Sequence, residues 1–205
     1  MTDEMDNRDL AERVRLIENM MAEGRQRTAR WGWTFVLWGV AYYVAIAWAT
    51  WGQGLSVWGY NRIAWPVTMF SAAALTMAIG MTKGRGQPGT TLTRAIVSVW
   101  SCVGVSMILI FPALGASGRL DQHGFVSLVA SLLAVANGAS ALILRWKMQF
   151  ACALIWWGIS VGACFGSDAQ LTTLFLTALF LCQIVFGIYA MTCESRRRQR
   201  GAVHA

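Results

Sequence analysis

The chain is short of charge where a soluble protein needs it. Of its 27 charged residues, 13 lie in residues 1–30 and 5 in residues 192–205, which leaves 9 for the 161 residues from Trp31 to Met191. A water-soluble fold covers its surface with polar groups, and that stretch has too few of them. An ordinary soluble enzyme is therefore excluded. A disordered chain is excluded too, because 56% of the residues are apolar. Cysteine is sparse and unpatterned. Cys102, Cys152, Cys164, Cys182 and Cys193 form no CxxC pair, and their number is odd. They read as reduced, small apolar residues, not as a disulfide scaffold or a metal set. Proline occurs only at Pro66 and Pro112, near the ends of apolar runs, and at Pro88 in a polar loop.

What remains is apolar sequence in long runs: Trp31–Trp51, Ala64–Met81, Ala95–Leu114, Phe125–Leu144, Gln149–Phe165 and Leu171–Met191. Each is near the ~20 residues that cross a ~30 Å hydrocarbon core, the second and fifth being the shortest. The expected fold is all-α: a multi-pass membrane protein of six transmembrane helices, grouped as three helical hairpins and preceded by a cytoplasmic amphipathic helix. The domain limits follow as 1–30 for that helix, 31–191 for the membrane domain and 192–205 for a basic cytoplasmic tail. The first 30 residues are too polar for a cleavable signal peptide.

The basic residues orient the chain. In a six-helix arrangement 15 of the 17 Lys and Arg fall on the side of the two termini, and only Arg62 and Arg119 fall opposite. This places both termini in the cytoplasm and the protein in the plasma (inner) membrane. The same asymmetry accounts for the net charge of +7 without nucleic acid. Trp31, Trp33, Trp51, Trp58, Trp65 and Trp146 fall at the expected interfaces, where an indole anchors well.

The hairpins share a pattern. The first helix of each carries a glycine, at Gly39, Gly104 and Gly158. The return helix carries one near its cytoplasmic end, at Gly80, Gly138 and Gly187, before basic residues. Such a triplication places the helices around a pseudo-threefold axis. Within the second hairpin, Gly104-Val-Ser-Met-Ile-Leu-Ile-Phe-Pro112 and Asn137-Gly-Ala-Ser-Ala-Leu-Ile-Leu-Arg145 resemble the hairpin unit of the HdeD-type acid-resistance membrane protein family. That family shows a Gly-rich helix running to Phe/Trp-Pro, and a return helix ending in small residues, an apolar stretch and a basic residue. The first and third hairpins lack the proline, and the N-terminal helix is outside the pattern. The resemblance implies a non-enzymatic inner-membrane protein with a stress-related role, and it transfers no catalytic residue.

No Asp, Glu, Lys, Arg or His lies inside any run. Ion-coupled transport, proton pumping and voltage sensing depend on such groups at the midplane. Intramembrane serine proteolysis needs a base, and lipid-phosphate chemistry needs clustered Arg, His or Asp. No catalytic residue, cofactor or metal site is therefore assigned. Arg119, Asp121 and His123 share one outer loop, where a solvated loop is the first reading. His123, with an ordinary pKa near 6.5, is the one group there suited to sensing external acid.

Three sets of residues are candidates for interaction. Gly158, Gly162 and Gly166 form a double GxxxG stripe, and Ala134 with Gly138 a shorter small-xxx-small pair; both suit close helix packing, within the chain or in a homo-oligomer. The sixth run is the expected neighbour of the glycine stripe. Asn137 and Gln183 are the strongest hydrogen-bonding groups inside the runs and should face other helices, as packing groups or as the lining of a polar path. Leu10, Val14, Ile17 and Met21 form one stripe of a helix over residues 7–30, a surface for a cytoplasmic protein partner, for the bilayer, or for packing on the inner loops. Two functional classes follow: a non-enzymatic interaction or regulatory protein, or a channel or carrier for a small neutral or apolar solute.

Overall fold

The computed structural model describes residues 10–16, 18–22, 31–51, 60–84, 91–119 and 121–203. Among them every regular element is a helix, and no strand occurs. The helices are α1 (Gly32–Trp51), α2 (Tyr60–Gly84), α3 (Thr91–Ala116), α4 (Gln122–Leu144), α5 (Lys147–Gly162), α6 (Asp168–Leu179) and α7 (Phe186–Val203), with a π-helical segment (Phe180–Val185) joining the last two. Residues 10–16 and 18–22 are also helical.

Five helices are long and apolar enough to cross a membrane: α1, α2 over Ile63–Thr82, α3, α4, and the continuous helix from Asp168 to Cys193. The fifth run behaves differently. α5 has 16 residues, about 24 Å at 1.5 Å per residue, which is less than the ~30 Å hydrocarbon core. Its apolar run continues beyond Gly162 into a turn at Ala163–Phe165. The chain end also departs from a simple tail, because the last span continues as helix through residues 192–203.

The chain divides into two compact units that share residues 31–191 between them. One holds α3, α4 and α5, with the N-terminal stretch; the other holds α1, α2, α6, the π segment and α7.

In the first unit α4 is central, packing against both α3 and α5. Its buried side chains include Val129, Leu133, Ala134 and Leu144, whereas α3 buries only Ile96 and Val103. Both corners of this unit use the same helix stop. After α3, Gly118 takes φ +68° while its N–H bonds Gly115 O (3.2 Å) and that of Arg119 bonds Leu114 O (3.1 Å). After α4, Arg145 takes φ +49° while its N–H bonds Leu142 O (3.3 Å) and that of Trp146 bonds Ala141 O (2.9 Å). Both are Schellman motifs, which need a left-handed residue that is usually glycine. Only the first corner supplies one.

In the second unit α1 packs on α2, the π segment and α7. Tyr42 is buried, with its ring edge-on to Trp65 (5.8 Å) and Phe175 (6.4 Å), and Phe35 meets Phe186 at 5.2 Å. Trp65, expected at the membrane interface, thus contributes to packing as well.

Candidate functional site

Polar and small side chains gather along one seam in each unit. In the first unit the seam runs between α4 and α5. His123, Ser127 and Ser131 recur every four residues on α4, which lines them up on one face. Across from them, Ser127 Oγ donates to Ser160 O (3.1 Å), Ser160 Oγ donates to Ser127 O (3.1 Å), and the hydroxyls of Ser131 and Ser160 are 2.6 Å apart. A hydroxyl carries one proton, so the consistent order is Ser131 to Ser160 to the Ser127 carbonyl. One turn further out, His123 Nδ1 lies 2.7 Å from Ala163 O. A carbonyl only accepts, so Nδ1 carries the hydrogen.

The corner that carries Asp121 and His123 is accounted for in the same way. Asp121 caps α4, its Oδ1 accepting from Gly124 N at 2.9 Å. With Asp121 on a helix cap and His123 on a carbonyl, the Asp-x-His pair is used for structure. Among the described residues no group of three or more His, Cys, Asp or Glu is placed to hold a metal. All five cysteines are free thiols.

Further along the seam, the small pair Ala134 and Gly138 is fully engaged. Ala134 is buried, and a Cβ on Gly138 would lie 3.0 Å from the Trp157 ring and 3.6 Å from the Ala153 methyl. Asn137 is buried as expected, but its Nδ2 donates to Leu133 O of its own helix (2.8 Å) and does not bridge to another helix. Its Oδ1 has no hydrogen-bond partner. Ser140 accepts from Trp100 Nε1 at 3.1 Å, tying α3 to α4. Gln149, in the first turn of α5, is fully buried and neither end of its amide is bonded.

The glycine stripe on α5 is open within its own unit: a Cβ on Gly158 or Gly162 would meet no described atom within 4 Å. The buried residues of α5 are Gln149, Cys152, Ala153, Trp156 and Ser160. Gly158 and Gly162 are each two residues from a buried position, about 200° around the helix, and so lie on the opposite face. Gly166 lies beyond the helix end and is half-buried.

The close crossing occurs instead in the second unit. A Cβ on Gly32 would lie 2.7 Å from Gly187 O, and one on Gly187 would lie 2.7 Å from Gly32 O. Gly39 packs against the π segment, its built Cβ being 2.9 Å from Gln183 Cβ. Gln183 is thus buried against another helix, as expected. Tyr43 Oη donates to Leu176 O (2.7 Å), one turn before the π segment. The glycines aligned as repeats do not share an environment: Gly39, Gly138 and Gly187 are crowded, while Gly80, Gly104 and Gly158 are open.

The N-terminal stripe is exposed. Leu10 and Val14 are 64% and 49% accessible, Met21 is half-buried, and Ile17 lies outside the described residues. Leu16 (60%) and Met20 (39%) widen the uncovered apolar surface. The serine ladder and Gln149 escaped the sequence reading. The four-residue spacing of His123, Ser127 and Ser131 was the available signal, whereas Gln149 sat at a run boundary and resembled an interfacial residue.

No protein-family model, curated protein or solved structure matches this chain.

Proposed function

We infer that this chain is a non-enzymatic multi-pass protein of the plasma (inner) membrane with an interaction or regulatory role. In this reading it crosses the membrane six times and keeps both termini in the cytoplasm. Each pair of crossings inserts as a hairpin that closes on a basic cytoplasmic corner. The observation that carries the role is the uncovered apolar face on the charged N-terminal helix, where Leu10 and Val14, four residues apart, are both exposed. Such a face suits a cytoplasmic partner that buries i, i+4 anchors. The polar groups inside the spans support the same reading, since Ser127, Ser131, Ser140 and Ser160 are engaged in helix–helix bonds. The resemblance of residues 104–145 to the HdeD-type hairpin adds a stress-related setting.

The test compares proteins co-purified from membranes with the full chain, with residues 1–30 deleted, and with Leu10→Asp plus Val14→Asp. A partner lost in both variants supports the reading, and an identical partner set refutes it. A second reading, a channel or carrier for a small neutral solute, draws on Asn137 Oδ1 and the unbonded Gln149 amide in the α4–α5 seam. Flux into liposomes that falls with Gln149→Leu supports it; no flux for any neutral solute tried refutes it.

A further inference from the structure

Two helix ends meet on one residue at the corner between α4 and α5. After α3, the stop uses Gly118 and Arg119, and Asp121 caps the next helix, so stop and start fall on different residues. After α4 the corner is shorter. Trp146 gives the N–H that closes the Schellman stop on Ala141 O (2.9 Å), and it is also the N-cap residue of α5. A residue has one amide hydrogen, so the end of α4 and the start of α5 compete for it.

The competitor is Gln149. It stands three residues after the cap, where a glutamine side chain can reach back to the N–H of the cap residue. The start of α6 shows that bond formed: Gln170 Oε1 accepts from Ser167 N at 3.1 Å. At α5 the same N–H is taken by Ala141 O. Gln149 is left fully buried, with neither Oε1 nor Nε2 bonded. A buried donor and a buried acceptor without partners are both costly. The stop they lose to is itself imperfect. Arg145 holds φ +49° without being glycine, and its N–H reaches Leu142 O at 3.3 Å.

We propose that this corner is a two-state switch, in which the Gln149 amide inserts between Trp146 N and Ala141 O. In the inserted state Oε1 accepts from Trp146 N, as Gln170 does from Ser167, and Nε2 donates to Ala141 O. The unused acceptor meets the donor of the opened bond, and the unused donor meets its acceptor. The two backbone atoms part from 2.9 Å to roughly 5 Å, the span of an amide bonded at both ends. That movement lets Arg145, which is exposed, leave the left-handed region. The bond from Phe150 N to Trp146 O (3.1 Å) holds the start of α5 in both states. One state has a direct bond, a left-handed arginine and an unbonded amide; the other has two bridged bonds and a wider corner. The switch depends on neither functional reading, because it uses no partner and no solute.

The test uses the full chain in detergent micelles, labelled with nitrogen-15 at tryptophan and glutamine. Trp146→Phe identifies the Trp146 amide signal, and Gln149→Met the side-chain signal of Gln149. Relaxation-dispersion and saturation-transfer measurements should find a second state at both groups, with one shared rate and a population above about 1%. Gln149→Met keeps the length of the side chain without its amide and should abolish the exchange at Trp146. Arg145→Gly removes the left-handed penalty from the directly bonded state alone, so it should lower the second population at least about fivefold. Ser160→Ala, in the same seam but away from the corner, should leave that population as in the parent. Should Gln149→Met fail to fold, the shift in Arg145→Gly decides. A single state at Trp146 in the parent, exchange that persists in Gln149→Met, or a second population that Arg145→Gly does not lower overturns the switch.

Discussion

Replacing Gly187 by alanine is the sharpest probe of the second unit. The added methyl carbon would lie 2.7 Å from Gly32 O, 2.7 Å from Val36 Cγ2 and 3.2 Å from Phe35 Cβ. A carbon and an oxygen rest near 3.3–3.5 Å, so α1 and α7 must separate by roughly 0.7 Å. The obstacle is a backbone carbonyl, so no rotamer change relieves it. Between helices in lipid no water is expelled on contact, and close van der Waals packing supplies the attraction. A gap of ~0.5–1 Å forfeits a quarter to a half of each contact along the crossing. Together with the strain of overpacking, the cost should be about 1–3 kcal/mol. Unfolding titrations in mixed detergent micelles measure it, with Gly158→Ala as the matched control because a Cβ there meets nothing within 4 Å. The control should be neutral or gain up to about 1 kcal/mol in helix propensity. Gly32→Ala should resemble Gly187→Ala, and the two should not add, since each methyl contacts the other's carbonyl. Parent-like stability of Gly187→Ala, or an equal loss at Gly158, would refute this account.

Arg145→Gly should stabilise the first unit by about 1 kcal/mol by relieving the left-handed backbone, measured in the same titration. Ser160→Ala should cost about 1–2 kcal/mol by leaving the Ser131 hydroxyl without its acceptor and removing the hydroxyl donor to the Ser127 carbonyl, and a Ser131→Ala, Ser160→Ala cycle should give a coupling near 0.6 kcal/mol or more. In a background without the native cysteines, single cysteines beside Arg85 and Arg197 should react with impermeant thiol reagents from the cytoplasmic side, and one at Gly118 from the outside. The reverse labelling would overturn the orientation.

The fold class was legible because charge and apolar length are recorded one residue at a time. Nine charges over 161 residues point to a membrane domain, and five helices are long and apolar enough to cross a membrane. The pairing of helices was not legible. In a soluble helix the polar face marks solvent and the apolar face the core, but lipid and core are both apolar. The buried and exposed sides of α5 therefore look alike in sequence. Gly158 and Gly162, four apart, carried a stronger motif than Gly32, Gly39 and Gly187, yet only the latter meet another helix. A close crossing needs a facing small residue as well as its own, and the distance between Gly32 and Gly187 in the chain hid the match. The Ala134–Gly138 pair was legible because Trp157 and Ala153 come from the adjoining helix, across a two-residue corner. Asn137 was placed correctly in the interior but not its bond, since an amide in lipid can turn to its own helix as readily as to a neighbour.

The π segment sets the phase of the last helix. From Ala178 onward its buried residues recur every fourth position: Ala178, Cys182, Phe186 and Ala190 in one row, Leu179, Gln183 and Gly187 in another. A regular α-helix turns about 400° in four residues, so three such steps would rotate the row by about 120° and carry Ala190 away from the first row position. The wider turn at Phe180–Val185 takes up that excess. Removing one residue there and restoring a regular helix would leave eleven steps of about 100°, roughly 1100°, within about 20° of three full turns, so Gly187 would still face Gly32. Straightening the segment with its length intact would instead carry the end of the row round by about 120°. The wide turn therefore lets the helix hold one extra residue without moving the residues beyond it out of contact.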